Sequence, residues 1–205
     1  ALDLWFELVV KPHCGGHAMI IRYADDFVCA FRYKDDARRF YRELPKRLKK
    51  FGLEVAPDKT QMMRFNRFHP GMKPRFTFLG FELYWFKDHR GVPRVMRRTA
   101  AKKLQGACRR IKDWIRENRH LKGKRFIIAL NRRLRGHYNY YGLRGNSRAL
   151  YRFFEWAIGC SFKWLNRRGG KRKSFTWNAF CLAIKRLGVA YPRITERKRQ
   201  HVVFA

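Results

Sequence analysis

A chain of 205 residues, 46% of them apolar, has the material for one large or two small packed domains, and this composition excludes wholesale disorder. Its 49 lysines and arginines against 15 acidic residues give a formal charge of +34, a self-repulsion that opposes compaction unless a polyanion or counterions neutralise it. Nucleic acid is the leading partner class, since no apolar run approaches the roughly 18 residues of a spanning helix and no signal-peptide pattern opens the chain.

The opening stretch, ALDLWFELVV, predicts a helix over Leu2–Val10 that is apolar on nearly every side. Such a helix is buried, so its cover is expected upstream and the chain reads as the C-terminal part of something longer. KPHCGG then has the chemistry of a loop. His13, Cys14 and His17 within it lack both zinc-site spacing and a fourth ligand. His17–Arg22 and Phe27–Arg32 predict two short strands separated only by Tyr23–Asp26, a hairpin that carries Asp25 and Asp26 at its tip. Asp35 and Asp36 can cap a helix with apolar residues at 37, 40, 41, 44, 48 and 51, ended by Gly52; Pro45 inside it predicts a kink or a later start. LEVA (53–56), TQMMRF (60–65), RFTFLG (75–80) and ELYWF (82–86) read as strands.

Beyond residue 96 the pattern turns helical. Thr99 can cap a helix bearing Leu104, Ala107, Cys108, Ile111 and Ile115 on one face. A second spans Lys124–Tyr141, with Ile127, Leu130, Leu134, Tyr138 and Tyr141 inward and Gly142 as its stop. Asn146 or Ser147 caps a third, and Ser174 a fourth with Phe180, Ile184 and Leu187 inward. The charge shifts at the same point: residues 1–95 carry 19 basic and 11 acidic residues, net +8, whereas residues 96–205 carry 30 and 4, net +26. A boundary near residue 96 follows. The five cysteines (14, 29, 108, 160, 181) form no CxxC pair and read as reduced thiols of a cytoplasmic protein.

Two adjacent carboxylates on a tight hairpin suit divalent cations, because magnesium takes one or two carboxylates plus substrate phosphates and its charge offsets their repulsion. Two such ions about 4 Å apart stabilise both the attacking and the leaving oxygen of phosphoryl transfer. A solvated Asp-Asp turn is the alternative reading. Arg132, Arg133 and Arg135 interleave with Tyr138, Tyr140 and Tyr141, which suits phosphate contact on one face and core packing on the other.

YADDFV (23–28) resembles the active-site hairpin, motif C, of reverse transcriptases. The resemblance continues in order: FGLEVAPDKTQ (51–61) is similar to motif D, FTFLGFELYW (76–85) to the strands that grip the primer end, RTAAKKL onward to the thumb, and LNRRLRGHYNYYGLRGNSRAL (130–150) to the maturase, or X, segment of group II intron-encoded proteins. FKWLNRR (162–168) and the basic tail fit the same family. The resemblance implies an α+β fold with part of a reverse transcriptase palm over residues 1–95, a helical thumb over 96–168 and a small basic helical nucleic-acid-binding region over 169–205.

It further implies an RNA-directed DNA polymerase that binds intron RNA and assists splicing. Asp25 and Asp26 would be catalytic ligands of Mg2+, with Lys59 a catalytic residue at the basic position of motif D. Tyr23, Ala24, Leu79 and Gly80 would lie along primer and template, and Arg132, Arg133, Arg135, Arg144, Lys171, Arg172 and Lys173 along RNA. Template or intron RNA, a DNA primer and deoxynucleoside triphosphates would be its partners, in a cytoplasmic ribonucleoprotein without a membrane. The family's fingers, PQG box and motif A aspartate have no counterpart in these residues. The chain alone is therefore expected to be inactive, completed by an N-terminal half or a second copy. A maturase that binds intron RNA without polymerising is the competing expectation.

Overall fold

The computed structural model of the chain describes residues 1–66, 68, 74–167 and 174–196. Helices and strands are mixed, in the order α1 (Leu2–Trp5), β1 (Ala18–Tyr23), β2 (Asp26–Phe31), α2 (Lys34–Lys49), β3 (Arg75–Phe78), β4 (Phe81–Lys87), β5 (Pro93–Thr99), α3 (Ala101–Glu117), α4 (Gly123–Tyr141), α5 (Ser147–Asn166) and α6 (Trp177–Arg186). β1 pairs antiparallel with β2, and β3, β4 and β5 form a second sheet in that order. The chain divides into two compact units, Ala1–Leu79 with Leu83–Val95, and Gly80–Glu82 with Met96–Ala205.

In the first unit, α1 continues through a wider helical turn, Phe6–Val10, and a tight turn, Lys11–His13. Its burial is one-sided, which corrects the expectation of a helix covered all round. Phe6 is fully buried, whereas Leu4 and Leu8 are 65% and 71% exposed. Phe6 meets Phe40 edge-on at 5.6 Å and Phe31 lies 5.3 Å from Phe40, so α2 is held against the β1–β2 hairpin through aromatic rings. α2 starts at Lys34 and runs through Pro45. Its cap position is Tyr33 rather than an aspartate; Asp35 and Asp36 sit in the first turn, where the positive helix end favours them, and Asp36 accepts from Arg39 at 2.7 Å. Gly52, at φ +68°, ends the helix with its amide on the Lys49 carbonyl and the Leu53 amide on that of Leu48, a Schellman closure. Leu53–Ala56 and Thr60–Phe65, expected as strands, join no sheet.

In the second unit, α3, α4, α5 and α6 bury one core built on Ile111, Ile115, Phe126, Leu130, Leu134, Tyr138, Phe153, Phe180 and Ile184. The 3.6-residue spacing of these positions is the reason the helices form and face one another. α6 and Val189, from the 169–205 region, therefore share a core with residues 96–168. Two expected caps do other work. The Asn146 side chain donates to Thr99 Oγ1 at 2.8 Å and accepts the Thr99 amide at 2.8 Å, so both residues are buried against each other. The cap of α6 is Thr176, whose hydroxyl accepts from the Ala179 amide, not Ser174. Leu187 is exposed, and Val189 takes its place in the core.

Candidate functional site

Strand register sets the hairpin. Tyr23 pairs with Asp26 and Arg22 with Phe27, which leaves Ala24 and Asp25 as a two-residue turn. Asp26 is thus the first residue of β2, and Asp25 alone of the two aspartates lies in the turn. Ala24 has φ +51° while Asp25 keeps a negative φ, the pattern of a II′ turn, in which the strand twist is matched but glycine is the unstrained first residue. Alanine in that region costs about 1 kcal/mol, strain of a kind that collects at functional sites. Asp25, Asp26 and Tyr23 are all exposed.

Arg22 braces the turn. Its guanidinium donates to both Asp3 carboxylate oxygens at 2.5–3.0 Å, and its Nη1 donates to the Ala24 carbonyl at 3.2 Å. The bidentate bond to Arg22 holds the Asp3 carboxyl below its usual range. Arg22 also places positive charge near Asp25. Neither the Asp25 nor the Asp26 side chain takes a hydrogen bond or ion pair from another described residue, so all their oxygens are available. No third His, Cys, Asp or Glu joins them into a metal-binding group among the described residues. Two free, hard oxygen donors fit a magnesium ion that keeps water and substrate phosphate as its other ligands. They do not fit an ion caged by protein alone.

The remaining predicted residues fall in separate places. Lys59 ends a short 3₁₀ turn, Pro57–Lys59, and is exposed. Leu79 and Gly80 form the two-residue connection from β3 to β4, at φ +49° and +78°, the type I′ pattern. Gly80 suits the turn by its φ, and a Cβ there would make a tight contact, 3.1 Å from the Tyr141 hydroxyl. On α4, Arg132, Arg133 and Arg135 are exposed, opposite buried Leu130, Leu134 and Tyr138. The Arg133 guanidinium lies 4.1 Å from the Trp114 ring centre, a cation–π contact. Arg144 is exposed, and its amide donates to Glu196. Lys171, Arg172 and Lys173 lie outside the described residues.

Sequence reasoning missed Asp3 and Arg22, whose pairing over 19 residues has no local signature. It also missed Asn131, whose amide side chain donates to the Gly188 carbonyl at 2.8 Å and accepts the Ala190 amide at 2.7 Å. An asparagine at an inward position of α4's apolar face was the available signal. His137 on the same helix stacks on Phe153 at 3.7 Å; burial, then the nearby Arg110, lowers its pKa to about 4.

Residues 6–83 match the family model described as reverse transcriptase (RNA-dependent DNA polymerase), and residues 104–180 match the one described as group II intron, maturase-specific domain. A search of curated proteins gives no match.

Proposed function

Since the chain belongs to the group II intron-encoded reverse transcriptases that carry a maturase-specific domain, an RNA-directed DNA polymerase family with a maturase role, we propose that its β1–β2 hairpin is the metal-binding arm of the polymerase site. One observation carries this reading. Asp25 lies in a strained, braced turn with Asp26 next to it at the start of β2, and neither carboxylate is tied to another described side chain. Binding intron RNA alone does not require them, which favours the polymerase reading over a maturase that does not polymerise.

Asp25 and Asp26 would hold magnesium, which when bound supplies charge to the attacking and leaving oxygens of nucleotide addition. The chain's own residues position. Arg22, fixed by Asp3, keeps the turn carbonyl and hence the Asp25 backbone in place. Tyr23 and Ala24 present the exposed side of the turn to the primer end, and Leu79–Gly80 presents a second tight turn to the primer strand. Lys59 neutralises or protonates the departing pyrophosphate. Arg132, Arg133, Arg135 and Arg144, together with Lys171, Arg172 and Lys173, meet RNA phosphates, which carry affinity rather than sequence choice. The substrates are deoxynucleoside triphosphates, a DNA primer and an RNA template, with intron RNA as the splicing partner in a cytoplasmic ribonucleoprotein.

The family's motif A aspartate has no counterpart among these residues, so primer extension on an RNA template is expected to need a further protein segment or a second copy. The test is extension by the 205-residue chain alone and with a fingers–palm segment supplied in trans. Activity only in the supplemented reaction, lost in Asp25→Ala, is expected. Extension by the chain alone above a heat-killed control would refute the division, and Asp25→Ala activity within about twofold of the parent would remove Asp25 from the site.

A further inference from the structure

Tyr140 stands apart from its neighbours on α4. Tyr138 is fully buried and Tyr141 half-buried, but Tyr140 is 55% exposed although it lies in the same aromatic cluster. Its ring is nearly parallel to Phe81, at 13° and 6.0 Å, and edge-on to Tyr141 at 4.7 Å. Tyr141 is itself packed on Phe81 at 5.3 Å and on His137 at 4.7 Å. The Tyr140 ring is therefore held in one orientation while more than half the residue faces solvent. Phe81 follows directly on Gly80, and the position a Cβ would take on Gly80 is 3.8 Å from the exposed side chain of Lys103. The Tyr140 ring, through Phe81, and the stem of Lys103 thus both adjoin the Gly80 turn.

A tyrosine that only closed a core would bury its ring and leave its hydroxyl in water. A pre-oriented exposed ring beside a cation is the arrangement that stacks a base and meets its phosphate, because every base has a π-face and the ordering cost of the platform is already met. We propose that Tyr140 is a stacking platform for an unpaired or strand-terminal nucleobase, with Lys103 on the adjoining phosphate. The proposal rests on the nucleic-acid-binding reading above and adds to it a base-contacting site distinct from the arginine contacts.

The experiment uses the whole chain and reads binding, not polymerisation. 2-Aminopurine is placed in turn at the 3′ end of a DNA primer annealed to RNA, in the RNA template overhang, and in a single-stranded RNA. In at least one of the three, wild type and Tyr140→Phe should quench the probe and Tyr140→Leu should not, with affinity for that ligand falling roughly 5- to 100-fold. The arm that responds identifies the strand. As a check that needs no variant, 5-iodouracil at the responding position should photocross-link to Tyr140 in the unaltered chain, mapped by mass spectrometry. Binding with probe signals indifferent to Tyr140→Leu in every arm, or cross-links only elsewhere, overturns the platform while leaving the nucleic-acid reading intact. Failure of the wild type to bind any of the three at low salt overturns both.

Discussion

At the scale of single residues, the hairpin depends on one arginine reaching across the chain. Arg22 joins Asp3 to the Ala24 carbonyl, so a strained turn is held by a charge pair whose other end lies 19 residues away. Asp3 is depressed below its ordinary value of 3.8 by that pair. A depressed carboxyl contributes fully above its unfolded pKa and loses the contribution as pH falls through the folded one. Protection of the Ala24 and Asp25 amides, the intrinsic exchange rate over the observed rate at the same pH, should therefore be constant from neutral pH down to about 4 and fall below it. Asp3→Asn should show the faster exchange throughout, with global melting little changed because both partners are exposed. Equal exchange in the two proteins at pH 7 would mean that the pair does not brace the turn.

His137 makes an opposite-signed residue with the same pH logic. Its folded pKa is lowered from 6.5 to about 4, because burial against Phe153 and Tyr141 disfavours the cation and Arg110 adds repulsion. The neutral ring's stabilisation is complete above pH 6.5 and is lost as pH falls through 6.5 towards 4, since the unfolded chain takes up the proton first. The size is on the order of a few kcal/mol. His137→Phe removes a buried nitrogen that has no hydrogen-bond partner. It should melt at a temperature that falls less between pH 7 and pH 5 than the parent's. Parallel pH dependence in thermal melts of the two would place the proton elsewhere.

At the scale of elements, the helices of the second unit were legible because their apolar spacing coincides with the core they build: Ile111 and Ile115, Leu130 and Leu134, Phe153 and Ile158. Strands were less so. Pro93–Thr99, with three arginines and no strand expected there, is β5, because its neighbour β4 supplies the ladder that its own sequence does not advertise. LEVA and TQMMRF have strand-like composition and no such neighbour. Polar residues misled in a consistent way: Thr99 and Asn146 look like caps, but capping side chains and buried pairing side chains are the same residue types. In the candidate site, the aspartate pair and its hairpin were readable from alternation and turn chemistry, whereas Arg22, Asn131 and Tyr140 act through partners distant in sequence.

Asn131 carries the clearest consequence. It reads the backbone at Gly188 and Ala190 as a strand would, and the same segment continues with the Tyr138 hydroxyl donating to the Ala190 carbonyl and the Thr195 and Glu196 amides donating to the Gly142 carbonyl. Glu196 also pairs with Arg97. The segment is thereby strapped along α4. Asn131→Ala leaves a carbonyl and an amide without partners, at about 1–3 kcal/mol each if no water replaces the side chain. A melting temperature lower by several degrees is expected, with faster proteolysis after residue 186 as the local signature. A melt within a degree of the parent would show that water satisfies both groups.

At the scale of the whole molecule, charge decides behaviour. The net +26 of residues 96–205 should give tight RNA binding that weakens steeply with salt, because each phosphate neutralised releases condensed counterions, roughly 0.7 log unit of affinity per contact per tenfold salt for single strands. Arg132, Arg133 and Arg135 are exposed on α4, and none is paired with an acidic side chain among the described residues. Replacing all three with glutamine keeps long, helix-compatible side chains and should make the slope of log affinity against log salt shallower by about 2. Arg133 also covers Trp114, so the variant should lose about 0.5–1 kcal/mol of stability, which thermal melting separates from the binding effect. Asp25→Asn serves as the counter-variant. It belongs to the other compact unit and removes one negative charge but no positive one, so RNA affinity and slope should stay close to the parent's. The measurement is RNA affinity at several salt concentrations for the three proteins. A slope unchanged in the triple variant would take these arginines off the RNA and leave α4's outer face merely solvated.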